Sequence, residues 1–493
     1  MSVGADAPGA AHVIETHVSM LFLTDERVYK LLKPVDLGFL DHRDRAVRLH
    51  AAERELELNR RMAPDVYLGL GDLHENGELV DHLIIMRRLP ADRRLSALVG
   101  QPGFEDAVRA VARRVAVYHA AQPPAEDPSP ATCDAVARNW EDNLLTLDGF
   151  RDKVIDGSEI DRVASLARSF LAGREALFDR RIADGFVRDG HGDLLADDIF
   201  CLADGPRILD CLAFRDDLRI ADVLCDIGFL AMDLHRLAGP GVAQTLMAAY
   251  QEYSYEHHPG SLAHHYVAYR AHVRAKVACL RHGQGDPGAA SLARQYHDLC
   301  AHHLVRGELH VVMVGGGAGV GKSTLAVGLG ERLGWSVIHS DEVRKDIAQI
   351  GHDVHAFAAP GEGIYSAEMT ESVYREMIRQ AQALLERGES VVLDATWTTD
   401  AHRELVRALA AQQSVRLHEL ECQVAPAIAR ERIARRLANP WNPSDATPDI
   451  ADHLLARRDR WPQAQLIDTS VAPDALAAFV ADQLVSSDDQ RSI

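Results

Sequence analysis

Leu309-His310-Val311-Val312-Met313-Val314, running into Gly316-Gly317-Ala318-Gly319-Val320-Gly321-Lys322-Ser323-Thr324, decides the reading of this chain. An apolar run breaks into glycines and ends on Lys-Ser, which predicts a strand, a phosphate-binding loop and a helix start. In the G-x-x-x-x-G-K-[ST] spacing, the glycines let backbone N–H groups wrap phosphates. Lys322 then reaches the β and γ oxygens of a nucleotide such as ATP, and the Ser323 hydroxyl ligates Mg2+. Leu325, Leu329 and Leu333 follow at helical spacing. What receives the phosphate, and why so much chain precedes the loop, has to be read from the flanking segments.

Downstream, strands alternate with helices, the pattern of an α/β domain with a parallel sheet. Trp335-Ser336-Val337-Ile338-His339-Ser340-Asp341-Glu342-Val343-Arg344 predicts a strand ending in an acid, with an arginine three residues on. The carboxyl ends of strands in open α/β sheets face the ligand crevice. Asp341 is therefore expected near the transferred phosphate, where it can orient or deprotonate an acceptor hydroxyl, and Arg344 can clamp acceptor or phosphate. A simple ATPase has no need of that pair. Ser390-Val391-Val392-Leu393-Asp394-Ala395-Thr396 predicts a buried strand whose Asp394 takes the Walker-B position and holds Mg2+ through water. The stretch from Gly351 to Arg387, with Tyr365, Ser366, Glu368 and Thr370, is expected to carry acceptor contacts, and no motif selects among them. Arg430, Arg432, Arg435 and Arg436 crowd one helix before Asn439-Pro440-Trp441-Asn442-Pro443-Ser444-Asp445. That arrangement suits a lid that closes over ATP, with Arg432 and Arg436 neutralising the transition state.

The D-x-x-R after the second strand is similar to that of the zeta-toxin, polynucleotide kinase and gluconate kinase relatives among P-loop kinases. Ile467-Asp468-Thr469-Ser470 resembles the late strand and loop that border the adenine in those enzymes.

Upstream, His17-Val18-Ser19-Met20-Leu21-Phe22-Leu23 and Arg27-Val28-Tyr29-Lys30-Leu31-Leu32-Lys33 flank Thr24-Asp25-Glu26 and predict a hairpin ending at Pro34. Val28, Lys30 and Leu32 share one face of a strand, so Val28 can pack on an adenine while Lys30 reaches its phosphates. A charged helix from about Arg43 to Met62 carries Glu53, Glu55 and Glu57. Each can partner Lys30, exposed carboxylates suit at least two of them, and Glu55 is assigned. Leu83-Ile84-Ile85-Met86 predicts another strand, and Arg87-Arg88-Leu89-Pro90 a hinge into a largely helical part that reaches the low 300s. Within it, Val187-Arg188-Asp189-Gly190-His191-Gly192-Asp193-Leu194-Leu195-Ala196-Asp197-Asp198-Ile199-Phe200 reads as a loop, followed by Ile208-Leu209-Asp210-Cys211. Three carboxylates at this spacing can supply a base and two Mg2+ ligands.

His191-Gly192-Asp193, Asp198 and Ile208-Leu209-Asp210 resemble the H-G-D-x-x-x-x-N and I-D-W segments of the aminoglycoside phosphotransferase and choline kinase family. The resemblance covers about residues 13 to 300. It implies Asp193 as catalytic base, Asp198 and Asp210 as metal ligands and Lys30 as the phosphate-binding lysine. Asp198 stands for the usual Asn, Leu195 for a frequent His, and the first hairpin has no glycine-rich loop. The implied fold is an α+β two-lobed protein-kinase-like domain, followed by the α/β P-loop domain. Asp222 and Asp226 are expected to be structural, one an N-cap and one a partner for the loop. In Tyr266–Val277, Arg270, Arg274 and Lys276 either meet an anionic substrate or ride on a helix that packs through Tyr266, Tyr269, Val273 and Val277.

The chain of 493 residues is long enough for two or three domains. The boundaries expected are 1–300 (N-lobe about 13–90, helical C-lobe about 91–300), 306–485, and disordered ends before about residue 12 and over 486–493. A formal net charge of −20 repels phosphate backbones, so small metabolites are expected as partners and nucleic acid is not. Seven cysteines without C-x-x-C spacing, no apolar h-region and no membrane-length apolar run lead to the expectation of a cytoplasmic protein without a membrane span. Histidine pairs such as His257-His258, His264-His265 and His302-His303 lack metal-ligand spacing and are expected on solvated helix faces. The function expected is ATP- and Mg2+-dependent phosphoryl transfer to a hydroxyl or amino group of a small metabolite, through two phosphate-handling centres. The rival is a nucleotide-driven switch with a regulatory or degenerate first domain. The sequence leaves the acceptor and the oligomeric state open.

Overall fold

A computed structural model describes residues 12–16, 18–36, 41–351, 362–437 and 458–486. The expected loose start, the tail beyond Ser486 and the loop Asn439–Asp445 lie outside the described residues. The chain divides into two compact units, one holding residues 1–156, 179–258 and 266–300, the other 157–178, 259–265 and 301–493.

In the first unit, β1 (His12–Glu15), β2 (Ser19–Leu23), β3 (Arg27–Leu32), β4 (Tyr67–Glu75) and β5 (Glu78–Arg87) form an antiparallel sheet in the order β1-β2-β3-β5-β4. Helix α1 (Arg45–Arg60) packs on it, and Leu32, Ala52, Ala63, Val66, Tyr67 and Ile84 close the shared core. The predicted hairpin is β2 and β3, paired Leu23 to Val28 and Ser19 to Leu32. Strand β4 escapes sequence reading because Gly69 and Gly71 dilute its pattern. At Gly71 an added Cβ would stand 2.9 Å from the Ile85 side chain, so the glycine serves close strand packing.

Helices follow: α2 (Phe104–Ala121), α3 (Cys133–Asp148), α4 (Gly157–Leu171), α5 (Glu175–Ala183), then two short ribbons, β6 (Val187–Asp189) with β9 (Ile220–Asp222) and β7 (Ile199–Leu202) with β8 (Gly205–Ile208). After them come α6 (Val223–Ala238), α7 (Pro240–Ser254), α8 (Gly260–Gly283) and α9 (Ala289–Arg306). Helix α6 starts where the Asp222 carboxylate accepts the Leu224 N–H at 2.9 Å, and Pro240 opens α7 at a position that needs no N–H. Asp222 also receives two 2.7 Å hydrogen bonds from Arg181, which reaches Glu256 as well; all three side chains are buried.

The second unit is built on five parallel strands in the order β11-β12-β10-β13-β14: β10 (His310–Gly315), β11 (Ser336–His339), β12 (Val391–Asp394), β13 (Arg416–Gln423) and β14 (Gln465–Asp468). Its helices are α10 (Lys322–Leu333), α11 (Ser340–Ala348), α12 (Ala367–Leu385), α13 (Asp400–Gln412), α14 (Pro426–Leu437) and α15 (Pro473–Ser486). Apolar layers cover both sheet faces. Val373, Met377, Val406 and Trp461 lie in one, and Leu325, Leu329, Val480 and Leu484 in the other. Residues 157–178 join this unit through Arg174, whose guanidinium donates to the Gln413 side chain and carbonyl, both at 3.0 Å.

The histidine expectation needs correction. His265 is 1% exposed and stacks on Phe170 with centroids 4.2 Å apart, and His303 is buried with its Nδ1 2.8 Å from that of His264. Neighbouring positions point apart on a helix, so His302 meets solvent while His303 turns inward. All seven cysteines are buried, and none forms a disulfide. Among the described residues no helix is long and apolar enough to cross a membrane.

Replacing Arg181 by Met strands two buried carboxylates. The first unit should lose about 3–5 kcal/mol, read as an earlier transition in urea denaturation of the full chain.

Candidate functional site

Each unit gathers its own set of titratable side chains. In the first, strand β3 directs Lys30 inward beside Val28 and Leu32, and all three line a cavity of ≈ 1110 Å³ that also takes in Tyr67, Asp193, Asp198 and Asp210. Lys30 Nζ lies 2.7 Å from Glu55 Oε1 and 3.1 Å from Asp210 Oδ1. Of the three glutamates on α1, Glu55 is buried, whereas Glu53 and Glu57 are exposed. Burial works against a charged Lys30, but Asp210 and Glu55 outweigh it and hold the ammonium well above its usual range.

Asp210 has φ 63°, a left-handed backbone that Asp tolerates, and its N–H donates to the Tyr67 hydroxyl at 3.3 Å. The next N–H, of Cys211, donates to Asn59 Oδ1 at 2.9 Å, and Asn59 Nδ2 donates to the Glu55 carbonyl. Asn59 thus couples the Glu55 turn of α1 to the Asp210 loop. Sequence reading missed it, although its place one helical turn after Glu55 was a usable signal.

Asp226 on α6 fixes the loop before the base. Its two oxygens accept from the N–H groups of His191 at 2.7 Å and Gly192 at 2.8 Å, and His119 Nε2 lies 3.0 Å away. Burial pushes this carboxyl up, yet the hydrogen bonds and charges of His119 and His191 hold it far below the usual range. His191 in turn donates from Nε2 to the Leu209 carbonyl at 3.0 Å, tying the Asp193 loop to the Asp210 loop. Asp193 and Asp198 both have raised pKa values, from burial first. Arg274 opposes the rise at Asp193, while Asp210 and Asp193 add to it at Asp198. Among the described residues no three such side chains stand together as metal ligands, so a divalent cation here would take further ligands from phosphate oxygens. In place of a glycine-rich loop, Thr16 Oγ1 accepts the N–H groups of Val18 at 3.3 Å and Ser19 at 2.9 Å.

In the second unit the glycine loop, Gly316 to Gly321, joins β10 to α10, with Lys322, Ser323 and Thr324 as the first residues of the helix. Gly316 has φ 141°, and a Cβ there would sit 2.7 Å from the Cys422 carbonyl oxygen. At Gly319, with φ 74°, it would sit 2.5 Å from that of Ala429. Only glycine fits either position.

The register that pairs His339 with Asp394 brings the ends of β11 and β12 together beside this loop. His339 Nδ1 lies 2.8 Å from Asp394 Oδ2, and that hydrogen bond raises the imidazole pKa. The other oxygen, Oδ1, is buried and has no hydrogen-bond partner among the described residues. An orphaned carboxylate oxygen at the end of β12, against which α10 packs with Ser323 in its first turn, suits Mg2+, which takes one or two protein ligands and phosphate oxygens for the rest. Sequence reading passed over His339; its position at a strand end, adjacent to Ser340-Asp341, was the signal.

Strand β11 stops at His339, so Asp341 lies in the first turn of α11 and Arg344 follows on the same helix. Arg344 is 9% exposed, donates to the Ile364 carbonyl at 3.0 Å and lies 5.1 Å over the Tyr365 ring, with Nε unpartnered among the described residues. Burial pushes the Tyr374 hydroxyl pKa up against its hydrogen bonds, with Arg344 opposing the rise and Asp341 adding to it; the hydroxyl sits 3.3 Å from Thr396 Oγ1 and accepts the Trp397 N–H at 3.2 Å. Ser366 caps α12 by accepting the Met369 N–H, and Glu368 and Thr370 occupy that helix's first turn. On α14, Arg432 donates to Thr469 Oγ1 at 3.2 Å and to its carbonyl at 2.8 Å, while Thr469 donates to the Val320 carbonyl. Arg435 is exposed, and the side chain of Arg436 lies outside the described residues.

The family model described as an AAA domain matches residues 311–461. An uncharacterised protein of Mycobacterium tuberculosis is 39% identical over 462 residues, covering 93% of this chain and 92% of that protein, and a Mycobacterium bovis protein matches to the same extent. The chain belongs to the family of these mycobacterial proteins. Among solved structures, a choline/ethanolamine kinase family protein from Mesorhizobium loti is similar at 14% identity, covering 60% of this chain and 88% of that one, with a TM-score of 0.37. The Mycobacterium tuberculosis APS kinase in complex with AMPPNP and APS is similar at 22% identity, covering 36% of this chain and 98% of that one, with a TM-score of 0.28.

Asp226 has a folded pKa below its unfolded value, so its contribution is present above about pH 4 and fades as pH falls through the folded value. Asp226→Asn should lower the melting temperature of the first unit at pH 7, and the difference from wild type should shrink in scans taken at successively lower pH below 4.

Proposed function

We propose that the chain is an ATP- and Mg2+-dependent phosphotransferase acting on a hydroxyl or amino group of a small metabolite, with two phosphate-handling centres. The observation that carries this is the placement of Asp341 and the buried Arg344 on α11, which starts directly after the strand end where His339 pairs with Asp394. Hydrolysis alone needs no acid and arginine on the acceptor side of the strands.

At the second centre the loop N–H groups and Lys322 hold the phosphates. Ser323 and Asp394 would hold Mg2+, which neutralises charge on the phosphate oxygens when bound. Asp341 takes the acceptor proton, Arg344 fixes the acceptor, and Arg432 and Arg436 act from α14. At the first centre Lys30, kept charged by Glu55 and Asp210, binds phosphate oxygens; Asp193 takes the acceptor proton, and Asp198 and Asp210 would hold metal. In each case the acceptor oxygen or nitrogen bonds to the γ-phosphorus, and the bond from that phosphorus to its bridging oxygen breaks, releasing ADP. Buried cysteines without a disulfide suit a reducing cytoplasm.

Transfer from labelled ATP to a metabolite extract tests this with the wild type, Lys322→Ala, Asp341→Asn and Asp193→Asn. Labelled products should fall by on the order of 100-fold or more with Asp341→Asn and vanish with Lys322→Ala if the second centre makes them. A product that survives Lys322→Ala and is lost with Asp193→Asn belongs to the first centre. ATP consumption without any labelled acceptor defeats the transferase reading and favours the nucleotide-driven switch.

A further inference from the structure

Beside the Asp193 loop, α8 brings cationic side chains to a chain whose net charge is strongly negative. Helix α8 crosses α6 at Gly228, where an added Cβ would stand 3.5 Å from both Tyr266 Cβ and the Val267 nitrogen. From that crossing α8 runs toward the start of α6. One turn on, Arg270 donates from Nε to the Cys225 carbonyl at 3.1 Å, and its guanidinium lies 4.9 Å over the Phe229 ring. Arg270 is therefore engaged in packing, buried where Val273 and Val277 are only partly covered.

Arg274 comes one further turn along the same face. That step carries it past the first residues of α6, where Asp226 grips the His191 and Gly192 N–H groups next to Asp193. Of the charges acting on the Asp193 carboxyl, Arg274 is the foremost, ahead of Asp210, His191 and Arg270. It makes no ion pair, and its buried Nε has no partner among the described residues. Two residues on, Lys276 donates to Asn143 Oδ1 at 2.5 Å and lies within the fields of Asp142 and Arg215; Arg215 is paired with Asp217 and lines the same cavity as Asp193. Arg274 is only partly buried, so its guanidinium stays open to an incoming anion, which would also complete the shielded, unpaired Nε.

We infer that the acceptor subsite beside Asp193 takes an anionic hydroxylated metabolite, with its carboxylate or phosphate held by Arg274. The inference rests on the reading of the first centre as a transferase. With the anionic group anchored on Arg274, the acceptor hydroxyl meets Asp193. Its proton passes to that carboxylate, its oxygen bonds to the γ-phosphorus of ATP, and the phosphorus–bridging oxygen bond breaks with the electron pair leaving on ADP. A cationic acceptor such as an aminocyclitol or a quaternary amine would meet like charge there.

The test uses the full chain carrying Lys322→Ala, which silences the second centre, loaded with Mg2+ and a non-hydrolysable ATP analogue. Calorimetry measures binding of gluconate and glycerate as carboxylates, glucose 6-phosphate and glycerol phosphate as phosphates, glucose and glycerol as neutral compounds, and choline and kanamycin as cations. The expected result is binding within one of the two anionic arms, weakened about 30-fold or more by Arg274→Met and partly restored by Arg274→Lys. Binding confined to neutral or cationic compounds, anion binding unaffected by Arg274→Met, anion binding lost only with Arg344→Met, or no binding in either anionic arm overturns the inference. Turnover with ATP separates it from the parent reading. Anion binding that needs Arg274, with no Asp193-dependent product, sinks the transferase reading and leaves the anion subsite standing.

Discussion

The first unit depends on a single buried carboxylate. Asp226 accepts from two successive backbone N–H groups, so the peptide planes of His191 and Gly192 are fixed, and the direction of Asp193 is fixed with them. The same side chain rides on α6, whose start Asp222 caps and whose flank Arg270 touches at Cys225. Burying an anion is unfavourable by several kcal/mol unless donors surround it; here the donors are the loop itself. Structure and site are thus one network, because the interaction that makes the charge tolerable also aims the base.

In the second unit the governing constraint is steric. The glycine loop runs so close to the carbonyls of Cys422 and Ala429 that any side chain at Gly316 or Gly319 would collide. The crowding presses the loop against β13 and α14, which fixes where its N–H groups point. Trp397, wholly buried with φ 50°, stores a further backbone strain of about 1–3 kcal/mol just beyond Asp394, held by the Tyr374 hydroxyl and the Leu393 carbonyl.

Much of this was legible in the residues. The P-loop spacing, the alternation that gives the parallel sheet, and the hairpin carrying Lys30 are local patterns, and local patterns are what a sequence displays. Glu55 was separable from Glu53 and Glu57 only by burial, which depends on the sheet that α1 meets. Asn59 and His339 were invisible for a related reason: each acts across elements far apart in the chain, through a register that no local pattern encodes. Strand β4 hid behind its glycines. The histidine pairs misled because a helix with two covered sides turns one of two neighbours inward even when both are polar. Sequence reading picks Arg432 and Arg436 from four crowded arginines, and the hydrogen bonds to Thr469 are what it could not supply for Arg432.

Arg174 gives the second unit a history as well as a shape. The connection that carries it, between α4 and α5, precedes β10 in the chain, with most of the first unit's helices in between, yet its guanidinium closes on Gln413. During synthesis at about 5–20 residues per second, that connection leaves the ribosome on the order of ten seconds or more before its partner exists. The interval covers the completion of the first unit and then the synthesis of β10 through α13. The order of birth is therefore nested: an early segment waits while one unit is made around it, and the last sheet to emerge collects it.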